Sequence, residues 1–346
     1  MRKIKNYLLS ILGFICLASF STVQAREVLR VLTWPGYADP DIVKLFEGRF
    51  DAEVQVSYVV SDDELWSRTN EKEGSSFDVF AVNTAELQRY INKGLSIPLN
   101  AENIPNRHNQ LPRFRDWSSI PGLTRDGKTY AIPYTYSEMG LIYNRKLVKN
   151  PPVSMEAMWD KAYQGKVLAF NTSNHNFSIA GLLLGVRNPF HLNKHEFNKA
   201  VDKLIALRRN VLTFYNSPEE AVELYKENEI ALVFGNYGDQ QVKQLQASGA
   251  DIGYVLPEEG AFAWLDCWSI TRGVKNKKLA EAWINFMLEK SVSNALTERQ
   301  GLQNTVTAIS DDRDEKKIIW LEPIADYAER EGAWGKIRSG YTGNSF

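Results

Sequence analysis

The stretch VLRVLTWPGYADPDIVKLF, Val28–Phe46, decides the fold class. It opens with β-branched and apolar residues that predict a strand, and the turn Pro35-Gly36-Tyr37 ends that strand. Asp39 and Pro40 then suit the N-cap and the first position of a helix that continues to Phe46. The stretch therefore predicts a strand, a short loop and a helix in direct succession.

The same order repeats downstream. Val54–Val60 alternates apolar and polar residues as a strand does, Asp62–Glu71 follows as a predicted helix, and Phe77–Val82 is the next apolar strand. Strands that alternate with helices are typical of a parallel α/β sheet. The fold class predicted for the chain is therefore α/β.

Polar and aromatic side chains follow these strands. Ligands of parallel sheets bind beyond the carboxyl ends of the strands, where Trp34, Tyr37, Asn83 and Thr84 all fall. The two rings could equally cap the edge of the sheet, and the spacing leaves both interpretations open.

A second α/β unit follows the first. Its predicted strands are Lys166–Phe170, Ile230–Phe234 and Ile252–Leu256, and helices lie between them. The extended run Tyr130–Asn144 is too long for one strand and contains Pro133, so we expect it to break near Pro133–Ser137 and cross between the two units. The tail is predicted to be partly helical around residues 318–328.

One aromatic and one acidic residue stand two apart in EEGAFAWLDCWSI, Glu258–Ile270. In a strand, Trp264 and Asp266 would point to the same face and offer a π surface beside a carboxylate, which suits an ammonium ion. The alternative is a core tryptophan beside a solvated acid.

The first residues resemble an export signal. A basic start precedes an apolar run, and Val23-Gln24-Ala25 suits cleavage, so we expect residues 1–25 to be a signal peptide and the protein to be periplasmic. Cleavage would leave Cys267 as the one cysteine, which excludes an internal disulfide. Cys267 is then either a buried apolar residue or, if a histidine lies beside it in the fold, a catalytic thiol.

Charge and motifs exclude several functions. The formal net charge of -1 gives no basic character, so we expect neither nucleic acid nor an anionic membrane as a partner. His191 and His195 stand four apart, but a helix predicted to start between them argues against a shared metal site. The chain has no nucleotide-binding or nucleophile-elbow motif, so we predict no cofactor, no metal and no catalytic residue.

Four motifs, taken together, resemble the periplasmic spermidine/putrescine-binding proteins of ABC importers. They are LRVLTWPGY at Leu29–Tyr37, FDVFAVNT at Phe77–Thr84, YAIPYTYSEMGLIYN at Tyr130–Asn144 and LPEEGAFAWLDCWSI at Leu256–Ile270. The resemblance implies a two-lobed, type II-like periplasmic-binding-protein fold, with hinge strands between the lobes and a ligand cleft between them. We expect lobe 1 to comprise residues 26–132 and 267–301, and lobe 2 to comprise residues 133–266 and 302–346.

The resemblance also implies that aromatic rings pack on the methylenes of a polyamine and that carboxylates bind its ammonium groups. The predicted ligand-binding residues are Trp34, Tyr37, Asn83, Thr84, Tyr136, Glu138, Tyr237, Trp264 and Asp266. The sequence departs from the family where Asn171–His175 replaces an acidic pair, Ala85 an aromatic residue and Gly235-Asn236 a tryptophan. Glu138 either supplies the missing second carboxylate or is an exposed glutamate on the connector.

Three functions follow from these observations. The first is a monomeric, non-catalytic receptor that captures an amine and delivers it to an inner-membrane ABC permease. The second is a periplasmic sensor of the same fold that docks on a membrane-bound signalling protein. The third, an exported enzyme, has only Cys267 in its favour. The ligand is spermidine, putrescine, a related polyamine, or an amino compound with one anionic end.

Overall fold

A computed structural model of the chain describes residues 26–308, 318–324 and 326–341. The predicted signal peptide lies outside these residues. Fifteen strands are present in the described part: β1 Glu27–Thr33, β2 Ala52–Tyr58, β3 Val79–Asn83, β4 Ser96–Ile97, β5 Thr124–Arg125, β6 Lys128–Thr129, β7 Ala131–Glu138, β8 Gly140–Asn144, β9 Val167–Phe170, β10 Thr213–Tyr215, β11 Leu232–Gly235, β12 Ile252–Val255, β13 Ala261–Thr271, β14 Gln303–Asn304 and β15 Ile318–Trp320.

Eleven α-helices connect and cover the strands of the described ranges: α1 Pro40–Phe50, α2 Asp62–Asn70, α3 Thr84–Asn92, α4 Pro112–Arg115, α5 Ser173–Leu183, α6 Lys194–Asn210, α7 Pro218–Glu227, α8 Asp239–Ala247, α9 Lys277–Met287, α10 Lys290–Gln300 and α11 Tyr327–Arg338. Within residues 26–341 as far as they are described, none of these helices has the length and apolar character needed to span a membrane.

The first sheet has the strand order β14-β7-β13-β3-β1-β2, with β4 and β15 paired to β13. Strand β1 pairs in parallel with both β2 and β3, as the alternation of strands and helices predicts. Strand β13 runs antiparallel between β3 and β7 and so joins the start of the chain to its later part. The carboxyl ends of β1, β2 and β3 therefore meet at one edge, beside β13.

The second sheet has the order β10-β9-β11-β8-β12. Its strands β9, β10 and β11 are parallel, and β8 runs antiparallel to both β11 and β12. Helix α6 begins at Lys194 behind a capping box in which Asn193 and Glu196 bond each other's backbone, so His191 lies before the helix and His195 within it, as predicted.

The chain crosses between the two sheets at Met139, two residues later than expected. Strand β7 continues through Pro133 to Glu138, and only Met139 separates it from β8 in the second sheet. The sheet tolerates Pro133 because the register with β13 shifts there: Asp266 pairs with Thr135 and Cys267 with Pro133. The run is two strands, as expected, but the break lies at Met139 and not at Pro133–Ser137.

Sheet membership also differs from the predicted lobe boundaries in the tail. Strand β14 pairs with β7, and Ile318–Trp320 pairs in parallel with β13 as strand β15, so both belong to the first sheet. The helix expected around residues 318–328 is wrong at its start, because adjacent β-branched residues favour the strand, and the helix begins at Tyr327. The division into two lobes with the boundaries given above stays a prediction.

Candidate functional site

Tyr37 and Asp266 meet at the edge where the parallel strands end. The Tyr37 hydroxyl donates a hydrogen bond of 2.6 Å to Asp266 Oδ2, and its ring packs edge-on against Tyr134 at 5.7 Å between centroids. Gly36, in the left-handed region at φ +85°, makes the turn that points Tyr37 inward. Burial and the Asp266 charge raise the pKa of the Tyr37 hydroxyl, so it remains a donor at neutral pH.

Asp266 lies in the middle of β13 with little access to solvent. Its backbone register places Asn83 of β3 on one side and Thr135 of β7 on the other, so these three side chains share one face of the sheet. Burial raises the pKa of the Asp266 carboxyl to about 7, although the hydrogen bond from Tyr37 acts in the opposite direction. The carboxyl is therefore poised to ionise when a cation approaches.

A further carboxylate, missed by the sequence analysis, lies beside Asn83. Asn83 Nδ2 donates to Asp62 Oδ1 at 3.1 Å, while Asn83 Oδ1 accepts from the backbone of Glu86 and caps α3. Burial raises the pKa of Asp62 well above its usual value, and the negative charges of Glu86 and Asp266 add to this. We call Tyr37, Asp62, Asn83 and Asp266 the acidic wall.

Trp264 shares the face of Asp266, two residues away on β13, and is mostly buried. Its indole Nε1 donates to the backbone oxygen of Asn236 at 3.2 Å. Gly238, in the same loop after β11, approaches β7 so closely that an added Cβ would clash with Ser137 Oγ and lie 2.6 Å from the Glu138 carbonyl oxygen. These contacts bring the loop after β11 of the second sheet against β13, which carries Asp266, and against its neighbour β7.

The side chains after β9 and β11 form a neutral wall, which we define as Phe170, His175, Asn236 and Tyr237. His175 Nδ1 lies 2.7 Å from Asn236 Oδ1, and the ring of Tyr237 packs edge-on against Phe170 at 5.4 Å. Burial lowers the pKa of His175 to about 4, in spite of the opposing hydrogen bond with Asn236. The histidine is therefore uncharged at neutral pH and, with Nδ1 donating to Asn236, its Nε2 can accept a hydrogen bond.

The acidic and neutral walls are within electrostatic range of each other. Burial raises the pKa of the Tyr237 hydroxyl, and the negative charges of Glu219 and Asp62 raise it further. A second link joins the same parts of the chain, because the Tyr327 hydroxyl of α11 donates to Asp63 Oδ1 of α2 at 2.7 Å. The sequence signal for the neutral wall is the departure at Asn171–His175, where uncharged polar side chains stand in place of an acidic pair.

The structure does not bring Tyr136 and Glu138 to the face that carries Asp266. Tyr136 pairs with Leu265, and successive residues of a strand point to opposite faces. Glu138 is buried, and its Oε2 accepts a hydrogen bond of 2.7 Å from Gln303 Nε2. Glu138 is thus neither exposed on the connector nor close to Asp266 on the same face.

The remaining predicted residues lie at the edge of the acidic wall. Trp34 is half-buried, and its indole N–H is enclosed without a hydrogen-bond partner in the described part of the chain. Thr84 is buried as the first residue of α3. On the opposite face of the sheet, the Tyr136 ring is covered by Arg113 at 4.7 Å and by the rings of Phe114 and Trp320.

A family model described as bacterial extracellular solute-binding protein matches residues 41–320. The chain belongs to this family. The family is one of solute-binding proteins rather than enzymes, which agrees with the state of Cys267: the thiol is fully buried, and burial raises its pKa well above the usual value.

Relatives of this solute-binding protein bind polyamines. It is 25% identical over 283 residues to spermidine/putrescine-binding periplasmic protein 1 of Haemophilus influenzae, covering 80% of this chain and 75% of that one. It is also 25% identical over 302 residues to a putrescine-binding periplasmic protein of Escherichia coli, covering 81% and 78% of the two chains. The predicted resemblance to this group is confirmed.

Solved structures share the fold. The substrate-binding protein of a spermidine/putrescine ABC transporter from Streptococcus pneumoniae aligns with a TM-score of 0.75 at 20% identity, over 91% of this chain and all of that one. A Treponema pallidum lipoprotein aligns with a TM-score of 0.79 at 17% identity, over 90% and 100% of the chains. The predicted α/β, two-lobed periplasmic-binding-protein fold is confirmed.

Proposed function

We propose that this solute-binding protein captures a polyamine of the spermidine or putrescine kind in the periplasm and delivers it to an inner-membrane ABC importer. The observation that carries the proposal is the buried carboxyl of Asp266. It accepts one hydrogen bond from Tyr37, shares its face with Trp264, and makes no ion pair with any residue that the structure describes.

A carboxyl in this state favours a cationic ligand. Its pKa near 7 reflects burial without a compensating positive charge, and an ammonium ion would supply that charge. A cation over an aromatic face gains roughly 0.5 to 2 kcal/mol, so the indoles of Trp264 and Trp34 would add to the binding. The names of the curated relatives, which bind spermidine and putrescine, support the same ligand class.

The test is a thermal-shift panel followed by calorimetry on the protein without residues 1–25. Putrescine, cadaverine and spermidine should raise the melting temperature, because a ligand that binds only the folded state stabilises it by mass action. Asp266→Asn, which keeps an acceptor for Tyr37, should remove the shift. If none of the amines stabilises the wild-type protein, the proposal is wrong.

The identity of the membrane partner distinguishes delivery to an importer from sensing. We propose delivery because a solved structure with this fold is described as the substrate-binding protein of an ABC transporter. The loaded protein should then stimulate ATP hydrolysis by the ABC importer in vesicles. A sensor of the same fold would bind the amine with equal affinity and leave the importer's ATPase unchanged.

A further inference from the structure

We propose that Asp62 is the second ligand-binding carboxylate of the site, and that together with Asp266 it selects di- and polyamines over amino acids. This inference rests on the proposed amine-binding function and specifies its ligand class. It places the second carboxylate next to the first, on the acidic wall, rather than at Glu138 or at the far end of the cleft.

The geometry joins Asp62 to Asp266 through one side chain. Asp62 follows β2 as the first residue of α2, and its Oδ1 accepts the amide hydrogen bond of Asn83 at 3.1 Å. Asn83 is the direct cross-strand neighbour of Asp266. Since Cβ atoms of such neighbours lie about 4.5 to 5.5 Å apart, a single amide separates the two carboxyl groups.

The charge balance leaves both carboxylates without a bonded cation. Arg89 Nε pairs with Glu86 Oε2 at 2.7 Å, and Arg89 Nη2 donates to the backbone oxygen of Asp62 rather than to its carboxylate. The guanidinium is also fixed over the Trp66 ring at 4.7 Å. Arg89 therefore pairs with Glu86, and although its charge also favours ionised Asp62, the net effect of the surroundings is a raised Asp62 pKa. In the described ranges neither Asp62 nor Asp266 forms an ion pair.

Helix capping does not account for the position of Asp62. Acidic residues in the first turn of a helix are favoured by its dipole, and α2 has three of them. Glu64 serves the helix start, because its backbone N–H bonds Ser61 Oγ and its Oε2 accepts from Val60. The Asp62 carboxylate instead accepts a hydrogen bond from Asn83 at the end of β3, at the acidic wall.

Two adjacent carboxylates in a desolvated site discriminate by charge. An ammonium group between them relieves their mutual repulsion, whereas an amino acid would bring a third negative charge into the same site with its carboxylate. The neutral wall cannot offset this charge, because His175 is uncharged at neutral pH and Asn236 and Tyr237 carry none. The site should therefore reject ligands with an anionic end.

The experiment compares Asp62→Asn with Asp63→Asn in the full mature chain. Asparagine at position 62 keeps an oxygen that accepts from Asn83, so the variant removes the charge and retains the hydrogen bond. The control removes the neighbouring charge of the same helix turn and keeps an acceptor for Tyr327. Affinities for putrescine and for 4-aminobutanoate, in which a carboxylate replaces one aminomethyl group, are measured by calorimetry at pH 8.

We expect Asp62→Asn to weaken putrescine binding about tenfold or more, the size of a lost charge-assisted hydrogen bond, and to reduce the preference over 4-aminobutanoate. Asp63→Asn should change the affinity less than about threefold, because Asp63 is exposed and solvent screens its charge. If Asp62→Asn misfolds, Asp62→Ser, which is also tolerated at a helix start, replaces it.

Two results would overturn the inference, and they differ in whether the proposed function also fails. A wild-type protein that binds putrescine, with Asp62→Asn unchanged in affinity and preference, overturns the role of Asp62 and leaves the proposed function intact. A wild-type protein that binds no amine overturns both.

Discussion

Replacing Asp266 with asparagine should stabilise the ligand-free protein while it removes amine binding. The carboxyl is buried, and its pKa is raised from 3.8 to about 7. Between these values the folded state binds a proton that the unfolded state has released, so the free energy of unfolding falls as the pH rises from 4 to 7 and is then constant. Asparagine does not ionise, so the free energy of unfolding of the variant should not fall in this way as the pH rises.

The magnitude follows from the size of the pKa change. One pKa unit corresponds to about 1.4 kcal/mol, so ionised Asp266 costs the ligand-free protein on the order of 4 kcal/mol above pH 7. At pH 5 the wild-type carboxyl is protonated in the folded state and the cost is roughly 1 to 2 kcal/mol. Asp266→Asn should therefore gain about 2 to 3 kcal/mol more at pH 8 than at pH 5.

The assay is urea denaturation of both proteins without ligand at the two pH values. Asp78→Asn serves as the control, because Asp78 is also buried but bonds Arg30 through contacts of 2.7 and 2.9 Å. Although burial opposes it, the Arg30 hydrogen bond lowers the pKa of Asp78. The free energy of unfolding of this variant should fall by about 3 kcal/mol or more at both pH values, because the partly buried guanidinium of Arg30 loses its carboxylate partner.

The reasoning is refuted if Asp266→Asn is less stable than wild type at pH 8, or if its gain is the same at pH 5 and pH 8. Either result would mean that the ionised Asp266 carboxylate does not lower the free energy of unfolding of the ligand-free protein. A gain at pH 8 combined with intact amine binding would keep the electrostatic account and remove Asp266 from the ligand site.

Three further predictions concern the contacts around the site. Gly238→Ala should weaken amine binding and lower the melting temperature, because its positive φ and the short approach to Ser137 leave no room for a Cβ; a stable variant with wild-type affinity would contradict the close approach. Trp264→Phe keeps a ring but leaves the Asn236 carbonyl without its donor, so calorimetry should show binding weakened about 5- to 30-fold, whereas unchanged affinity would place the indole outside the site. Cys267 should react with a thiol reagent only after unfolding, and rapid labelling of the native protein would contradict its burial.

The local patterns in the sequence predict the first sheet well. Pro35-Gly36 ends β1 because Gly36 can adopt the left-handed turn, and Pro40 opens α1 because its ring fixes a helical φ. Asp39 is the N-cap residue as predicted, but its side chain makes no capping hydrogen bond. The period of two along a strand likewise places Trp264 and Asp266 on one face without knowledge of the neighbours. What these predictions share is that each depends on residues close together in the chain.

Pairing between distant strands could not be predicted in the same way. Whether Glu138 shares a face with Asp266 depends on the register of β7 against β13, and a shift of one residue reverses the answer. Asp62 was recognised only as the start of a helix, since its bond to Asn83 depends on two loops meeting at the end of a parallel sheet. The acid-rich run after β2, at a ligand-binding edge, was the available signal.

The most direct test of the amine-binding account is a crystal structure of the mature protein with the amine that stabilises it most. The account predicts an amine nitrogen within hydrogen-bond distance of both Asp62 and Asp266, with the adjoining methylenes on the Trp264 ring. An amine bound elsewhere, with Asp266 bonded only to Tyr37, would contradict it.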